Sequence, residues 1–308
     1  MEISSIIHVD PGSLRNFDAD IFITTLGFEA RCTNIARLYE DRSCRKIALS
    51  RSDHLKEHSF KPNKEYYESN GFEIIAVEKA VPDVGALLVE HQSEQIKILL
   101  DCTSMSPRWY YEFFSWFIES QDLFEKARIR IAYTMAAFNG SDQARKVKGV
   151  KEFLEAQENA MDIGKTALIL GLGHEKQIGQ EIYNRIKPDL LYLFYADPPV
   201  EKQFVEKVFV NNHSLIDATP IRNLISYPIR NGELIYERLI DTILPLRNNY
   251  TNILVPHGPK IFSLVAMLVH LRYPDTVISY PVFKKPPTQD RIPSGDPVLL
   301  DILIEGEE

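Results

Sequence analysis

The chain has 308 residues, of which 44% are hydrophobic and 25% are charged, and its formal net charge at pH 7 is −8. These values are typical of a globular protein of about two domains, and they argue against collagen, coiled coils and long disordered segments. The acidic balance also argues against direct binding to DNA, which requires a basic surface.

The cysteines and the apolar segments indicate the compartment. The three cysteines are widely spaced, with no pair at metal-ligand spacing, and their odd number does not fit a disulfide framework. The first residues lack the basic and apolar regions of a signal peptide, and the most apolar long stretch, 261–271, is too short to span a bilayer. We therefore expect a reduced, cytoplasmic protein that avoids membranes and binds no metal and no cofactor.

Apolar runs and helix-like segments alternate along both halves of the chain. In the first half the predicted strands are 21–26, 46–50, 72–77, 96–100 and 130–133, and the predicted helices are 33–39 and 109–118. In the second half the predicted strands are 167–172, 190–195, 252–255 and 277–280, and the predicted helices are 177–186 and 261–271. A last run, 298–304, is expected to form an edge strand. Because short apolar runs between helices are typical of buried parallel strands, each half is predicted to be a Rossmann-like α/β domain with a mainly parallel sheet.

Three landmarks recur in the two halves in the same order, and the last of them is a strand followed by a phenylalanine, Phe138 in the first half and, 145 residues later, Phe283 in the second. A Gly-x-Glu triplet follows the first strand of each half, at 27–29 and again 146 residues later at 173–175. A basic residue precedes an aromatic or apolar helix, at Arg108 and 152 residues later at Lys260. These offsets predict an internal duplication, which makes the chain a pseudo-dimer of two tandem domains.

A polar joint separates the two predicted domains. It begins at Asn139 and continues into a charged segment that is predicted to be helical to about Met161. We place the first domain at 1–140, a helical linker at 141–164, and the second domain, with a C-terminal tail, at 165–308.

One strand-end loop in each half has the composition of an anion-binding site, and ligands of open parallel sheets bind at the carboxyl ends of strands. The loop after strand 96–100 offers hydroxyl groups, a helix start with unpaired N–H groups, and an arginine for a bidentate contact. Its candidate residues are Asp101, Thr103, Ser104, Ser106 and Arg108. The alternative is that Ser106 only caps the helix that starts at Pro107.

The matching loop of the second half spans 256–260. His257 and Lys260 flank a Gly-Pro pair in front of a helix, and Gly258 allows a ligand to approach the backbone closely. The alternative is a tight turn followed by a solvated lysine.

The loops after the first strand of each half are the second pair of candidates. Their candidate residues are Gly27, Glu29 and Arg31 in the first half, and Gly171, Gly173, His174 and Glu175 in the second. The two glutamates are suited to bind ribose hydroxyls or to act as acid–base groups. The alternative is that each is simply a glutamate in the first turn of a helix, where the helix dipole stabilises a negative charge. Without a third glycine at the expected place, 171–173 is a weak dinucleotide fingerprint.

Two further residues follow strands directly. Cys102 has no base that can be assigned to it, so we expect a small buried hydrophobic residue rather than a nucleophile. Asp197 follows the strand 190–195 and can reach a ligand at the same sheet edge, although a turn explains it as well.

This layout resembles the CARF domains, which are Rossmann-like modules of CRISPR-associated and other defence proteins. The resemblance is carried by the strand, Thr/Ser loop and helix around 101–108, by 257–260, and by the glycine loop after the first strand. In that family paired domains bind a cyclic oligoadenylate across their interface, usually with a fused nuclease. The resemblance implies a nucleotide held between the two halves. Since only about 25 residues follow Phe283, it also implies an output through a partner protein.

Three functions stay open. The first is a sensor of a prokaryotic defence-type system, which binds a nucleotide such as a cyclic oligonucleotide and signals to a partner protein. The second is an enzyme that cleaves or transfers a nucleotide, as a phosphodiesterase or glycosidase, with Glu29, Glu175 and His257 as acid–base candidates. The third is a scaffold subunit of a multi-protein complex. We place the sensor first, because the sequence contains no catalytic triad, metal-ligand cluster or Walker loop.

Overall fold

The chain folds into two compact units, each with its own sheet. The structure is a computed structural model, and it describes residues 2–39, 43–51, 57–77, 83–88, 94–120, 123–140, 147–152, 164–283 and 289–306. Unit 1 comprises Met1–Ala137 and Thr288–Glu308, and unit 2 comprises Phe138–Pro287. Both sheets are mainly parallel, so the predicted fold of two tandem Rossmann-like α/β domains is confirmed.

The regular elements follow each other in the alternation that the sequence predicts. The strands are β1 (Glu2–Val9), β2 (Ile21–Leu26), β3 (Arg45–Ser50), β4 (Glu73–Ala76), β5 (Gln95–Asp101), β6 (Lys126–Tyr133), β7 (Val147–Glu152), β8 (Thr166–Gly171), β9 (Leu190–Ala196), β10 (Leu224–Tyr227), β11 (Thr251–Val255), β12 (Val277–Phe283) and β13 (Val298–Glu305). The α-helices are α1 (Asn34–Leu38), α2 (Phe60–Ser69), α3 (Val84–Leu88), α4 (Pro107–Glu119), α5 (Ile178–Ile186), α6 (Lys202–Asp217), α7 (Gly232–Ile243) and α8 (Lys260–Arg272). None of the helices in the described ranges is long and apolar enough to cross a membrane.

The strand order of unit 1 is β1-β13-β6-β5-β2-β3-β4. The five strands β2 to β6 are parallel, whereas β13 runs antiparallel to both of its neighbours, β1 and β6. The first parallel strand, β2, pairs with β3 on one side and with β5 on the other. The chain therefore reverses its direction of winding beside β2, which makes the β2–β5 edge a topological switch point.

Unit 2 repeats this order. Its sheet reads β10-β9-β8-β11-β12-β7, with β8 to β12 parallel and β7 antiparallel to β12. Its first parallel strand, β8, lies between β9 and β11, so the switch point is at the β8–β11 edge. The five parallel strands of each unit thus follow one order, as the predicted duplication requires.

Burial explains why the predicted runs became these elements. All six residues of β2 are buried, as expected for a central parallel strand covered by helices on both faces. In α8 the ten residues 261–270 are all buried, which matches a helix that is apolar on nearly every side. The helix α4 begins at Pro107 with Ser106 as its cap, two residues before the predicted start and as the capping alternative for Ser106 has it.

The predicted linker and tail are wrong in two respects. Val147–Glu152 forms strand β7 instead of part of a helix; the rest of the predicted linker, 141–146 and 153–163, lies outside the described residues apart from Gly164. Charged residues such as Lys148 and Lys151 suggested a helix, yet charges are also what natural edge strands carry. The tail does not belong to the second domain, because Thr288–Glu308 is part of unit 1.

The run at 298–304 is a strand, but it is not an edge strand. It forms β13, which is hydrogen-bonded to β1 on one side and to β6 on the other. The sequence interpretation missed β1, whose polar residues give it no continuous apolar run, and so left β13 with one neighbour. The chain therefore crosses between the two sheets after each last parallel strand. After β6 of unit 1 it forms β7 in the sheet of unit 2, and after β12 of unit 2 it forms β13 in the sheet of unit 1.

A buried ion pair holds β13 against β6. Asp301 accepts hydrogen bonds from Nε and Nη2 of Arg130 at 2.6 and 2.8 Å, and from Nε of Arg128 at 2.9 Å. The side chains of Asp301 and Arg130 are 3% and 5% exposed. The Arg130 guanidinium also lies over the ring of Phe17, at 4.3 Å from its centroid. A carboxylate at this depth must be paired, because removal of one partner leaves a buried charge.

We expect Asp301→Asn to destabilise unit 1 by about 3–5 kcal/mol, since Arg130 would lose its counter-charge inside the sheet. Both tryptophans, Trp109 and Trp116, lie in α4 of unit 1, so urea unfolding followed by tryptophan fluorescence reports this unit. The matched control is Glu305→Gln on the same strand, which removes an exposed pair with Lys126 and should change little. Equal effects of the two substitutions would contradict the role given to Asp301.

Candidate functional site

In each unit the two predicted loops meet at the switch point. We call the loops after β2 and β5 switch point 1, and the loops after β8 and β11 switch point 2. A Cβ atom added to Gly27 would lie 2.7 Å from the side chain of Ser104, and one added to Gly258 would lie 3.1 Å from the carbonyl oxygen of Leu172. The sequence prediction that loops 146 to 152 residues apart occupy matching places is consistent with this geometry.

The loop after β2 in switch point 1 is bonded within itself and to helix α2. The backbone N–H of Gly27 donates to the thiol of Cys32 at 3.1 Å, and Nδ2 of Asn63 donates to the carbonyl oxygen of Gly27 at 2.9 Å. The hydroxyl of Tyr67 donates to the carbonyl oxygen of Cys32 at 2.8 Å. Burial raises the pKa of the Cys32 thiol to about 11 despite these bonds, so this thiol is protonated and inert at neutral pH.

The polar residues at the end of β5 are also committed to the fold. Asp101 is 1% exposed, and its carboxylate accepts from the backbone N–H of Thr103 at 2.9 Å and from the hydroxyl of Thr24 at 3.1 Å. The Thr103 hydroxyl in turn accepts from the backbone N–H of Thr134 at 3.0 Å. Cys102 is 1% exposed, which confirms the prediction of a small buried residue. These groups tie the loops after β5 and β6 together.

The cation of switch point 1 is Arg31. Its side chain is 2% exposed, and Nε donates to Glu29 at 2.7 Å while Nη1 donates to the carbonyl oxygen of Thr134 at 2.7 Å and to the hydroxyl of Tyr133 at 3.3 Å. Burial lowers the pKa of Arg31, but the charges and hydrogen bonds of Tyr133 and Glu29 outweigh it and raise that pKa above its usual value. Glu29 and Arg31 are thus one buried ion pair, and Tyr133 and Thr134, which the sequence interpretation missed, complete it.

A carboxylate of the same chain occupies the first-strand loop of switch point 1. Asp290 accepts from the backbone N–H of Ala30 at 2.7 Å and from the hydroxyl of Ser59 at 3.0 Å. The next residue, Arg291, accepts from the backbone N–H of Arg31 at 3.0 Å through its carbonyl oxygen, and its Nε lies 3.7 Å from Glu29. The segment before β13 therefore already uses donors that an anionic ligand would need.

Ser106 and Arg108 have roles on α4. The Ser106 hydroxyl accepts from the backbone N–H of Trp109 at 3.4 Å. Ser106 therefore caps α4, which is the alternative that the sequence left open for this residue. Arg108 is 60% exposed, and its Nε lies 3.7 Å from Glu112 one turn further along the helix. The structure gives Arg108 a surface ion pair, and Arg31 is the arginine that it brings to the switch point.

Switch point 2 contains an imidazole–carboxylate pair. Nε2 of His257, in the loop after β11, lies 3.4 Å from Oε2 of Glu175, in the loop after β8, and the side chains are 9% and 19% exposed. A Cβ atom at Gly173 would lie 2.5 Å from that carboxylate and 2.8 Å from Nε2 of His257, so the pair fits only beside a glycine. Gly171 makes room for the ring of Phe262 in the same way. Both halves of the pair come from residues that the sequence singled out.

Helix α6 positions the loop that carries Glu175. Asn212 donates through Nδ2 to the carbonyl oxygen of Gly173 at 3.1 Å, and Asn211 donates to that of His174 at 2.5 Å. Asn212 is buried and has φ −121° and ψ 15°, so the helix is kinked where it holds the loop. The ring of His174 contacts that of Phe204 on the same helix at 5.6 Å. Two adjacent asparagines on one helix were the unused signal for this support.

The charge of His257 acts on the Glu175 carboxyl. Burial alone would raise the pKa of Glu175, but the contact with His257 and the positive charges of His257 and His174 lower it well below its usual value. Glu175 is therefore ionised at neutral pH. Lys260, which was predicted to precede its helix, is the first residue of α8. Among the described residues, no group of three or more His, Cys, Asp and Glu side chains has the arrangement of a metal site.

We expect the Glu175–His257 pair to stabilise unit 2. In a double-mutant cycle with Glu175→Gln and His257→Gln at pH 6, a coupling of roughly 0.5–3 kcal/mol is expected for two buried groups in contact. Because the pKa of Glu175 is lower in the folded than in the unfolded state, where it is about 4.3, this stabilisation is present above that value and is lost on acidification. Unit 2 contains no tryptophan, so amide hydrogen exchange of β8 and β11 is the measurement.

The matched control for this cycle is an exposed pair in the same unit. Lys202 and Glu206 lie 3.5 Å apart on α6, and their coupling should be close to zero because solvent screens exposed pairs. A coupling between Glu175 and His257 as small as that of the control pair would rule out the proposed interaction.

Comparison with known proteins assigns no family to this chain. No model of a protein family matches it, and no curated protein matches it either. The resemblance to CARF domains accordingly rests on the layout of strands and loops, and a function has to be inferred from the chemistry of the two switch points.

Proposed function

We propose that the protein is a sensor that binds a nucleotide at switch point 2 and signals to a partner protein. The observation that carries the proposal is the Glu175–His257 pair, which is buried between two strand-end loops at the place where parallel α/β sheets bind ligands. A polar pair at such a place needs a reason beyond packing, because buried polar groups weaken a fold unless they are well bonded.

The chemistry of switch point 2 suits a phosphate-bearing ligand. Nε2 of His257 has a contact at 3.4 Å but no hydrogen bond of good geometry among the described residues, so it is available to donate to a phosphate oxygen. The contact with Glu175 holds the imidazole at the mouth of the two loops. Lys260 and the first turn of α8, a helix of 13 residues, add positive potential on the same loop.

Switch point 1 is the less suitable of the two. Its arginine is paired with Glu29, and its first-strand loop is held by Asp290. We therefore assign the ligand to unit 2 and a structural role to switch point 1. The resemblance to CARF domains supports a cyclic oligoadenylate as the first ligand to test and a partner protein as the receiver of the signal.

An enzyme that cleaves or transfers a nucleotide is the second candidate, and the same pair favours it. A histidine oriented by a carboxylate is the arrangement that general acid–base catalysis uses. The two candidates differ in one measurable property, which is whether the bound nucleotide is consumed.

We expect a nucleotide to raise the melting temperature of the protein and to be recovered unchanged. The probes are cyclic tetra-adenylate, cyclic hexa-adenylate, ATP, AMP and NAD, followed by chromatography of each mixture. A ligand at a hundredfold excess over its Kd stabilises the folded state by about 2.7 kcal/mol, which is roughly 5–10 °C for a domain of this size. A consumed nucleotide would support the enzyme, and the absence of any shift would contradict both candidates and favour the scaffold.

Two variants test the place of binding by calorimetry. His257→Ala and Glu175→Gln should each weaken binding about tenfold or more, because a hydrogen bond to a charged group is lost or misdirected. His213→Ala is the matched control, since His213 lies on the exposed surface of α6 and bonds to its own helix. Unchanged binding in both site variants would remove the ligand from switch point 2.

A further inference from the structure

Helix α6 carries an exposed row of side chains with an apolar centre. Phe209 and Val210 are adjacent in the middle of the helix, and they are 40% and 67% exposed. Single exposed hydrophobic residues are ordinary on a protein surface, but a pair of them between polar flanks is a feature of interaction sites. The flanks are four exposed polar or charged residues, Lys202, Glu206, His213 and Asp217. We call these six residues the α6 row.

The α6 row lies on one side of the helix. Counted from Lys202, its other members follow after four, seven, eight, eleven and fifteen residues, and this spacing keeps all six within about 100° of the helix circumference. The helix is kinked at Asn212, but that side chain is buried, and members of the row before and after it are exposed. The helix therefore presents one exposed row, about 20 Å long.

The fold of unit 2 holds the centre of the row in place without covering it. The ring of Phe209 packs edge-on against that of Tyr195 on β9, with 5.1 Å between the ring centroids, and still leaves 40% of the residue exposed. At one end of the row, Lys202 and Glu206 form an exposed ion pair at 3.5 Å. The part of the chain that the structure describes thus leaves this apolar centre open to solvent.

The α6 row is complementary to itself. Its six residues form three pairs that are equidistant from one centre, which lies between Phe209 and Val210. A two-fold axis through that centre places a second α6 antiparallel to the first, as in an isologous dimer. Phe209 of each copy then faces Val210 of the other, so that the two apolar centres cover each other.

The charges of the row fit the same arrangement. In the antiparallel pair Lys202 of each copy faces Asp217 of the other, and the acid Glu206 faces the imidazole of His213. Each favourable contact therefore occurs twice. A parallel pair would instead bring each charge against its own kind, which opposes association. The charge pattern thus favours a second copy of this chain as the occupant and selects the antiparallel orientation.

We propose that the α6 row is a self-association surface, through which two copies of the chain form a two-fold dimer with their α6 helices antiparallel. One helix of 16 residues from each copy makes a small interface, so the dimer is reversible, with a Kd of roughly 10–100 µM. The apolar centre supplies the affinity, and the exposed charges give orientation more than strength.

This inference goes beyond the proposed function and does not depend on a nucleotide. The same helix supports the loop that carries Glu175, through Asn211 and Asn212, so the dimer contact and the proposed ligand site share one element.

Sedimentation velocity of the full chain without nucleotide, from about 5 to 200 µM, is the test. We expect the native protein to change from monomer to dimer across this range. Val210→Asp should weaken association at least tenfold, because it buries a charge in the apolar centre. Since Val210 is 67% exposed, the substitution leaves the fold intact, which circular dichroism checks. The matched control is Ile221→Asp, at a residue of unit 2 that is 87% exposed and lies outside the α6 row; it should dimerise like the native protein.

A charge exchange tests the antiparallel orientation. At low ionic strength Lys202→Glu and Asp217→Lys should each weaken the dimer about fivefold, because like charges then face each other twice. The double variant restores opposite charges in exchanged places and should regain the native affinity. An acid at the first residue of α6 and a base at its last both suit the helix dipole, so the variants keep the helix.

Four results would overturn the inference. They are a native protein that stays monomeric at every concentration, a dimer that survives Val210→Asp, equal losses from Val210→Asp and Ile221→Asp, and a double charge variant that associates no better than the single ones. None of these results affects nucleotide binding at switch point 2, which is measured separately, so the two proposals stand or fall independently.

Discussion

The constraint on which the rest of the structure depends is the position of the first parallel strand in each sheet. β2 pairs with β3 and β5, and β8 pairs with β9 and β11, so the chain leaves each of these strands to one side and returns to the other. Loops that are far apart in sequence are thereby forced to meet at the carboxyl edge. The contacts of Gly27 with Ser104, and of Gly173 with His257, are direct consequences of that order.

The same constraint has two chemical outcomes. In unit 1 the loop after β2 is bonded within itself and to neighbouring elements: Gly27 is bonded to Cys32 and to Asn63 of α2, and the Arg31–Glu29 pair is closed by Thr134 after β6. In unit 2 the loops bring together a histidine and a carboxylate whose contact at 3.4 Å leaves bonding capacity unused. One topology therefore supports an internally bonded loop in one unit and, in the other, the edge at which we propose a ligand site.

Sequence reasoning succeeded where the signal was local and failed where it depended on a distant partner. Continuous apolar runs identified β2, β5, β8 and β11, because central parallel strands are apolar on both faces. The glycines and His257 could be named because strand ends are visible in the sequence. Strand β7 was predicted to be helical because its residues are charged. It is a strand because it pairs with β12, and that distant partner cannot be identified from the local sequence. Arg31 was named as a ligand-binding candidate because nothing local reveals that Tyr133 and Thr134, about a hundred residues away, surround it.

The segment before and within β13 shows why the two edges have different freedom to bind a ligand. This one segment inserts Asp301 into the sheet of unit 1, between Arg128 and Arg130, and also places Asp290 on the loop after β2. An incoming anion at switch point 1 would have to displace a carboxylate whose backbone continues into a central strand. At switch point 2 the pair Glu175–His257 is held by loops and by the asparagines of α6, while the neighbouring β7 only borders the sheet. A ligand at the proposed site of switch point 2 would therefore displace side chains and loops, whereas an anion at switch point 1 would displace a segment that leads into a central strand.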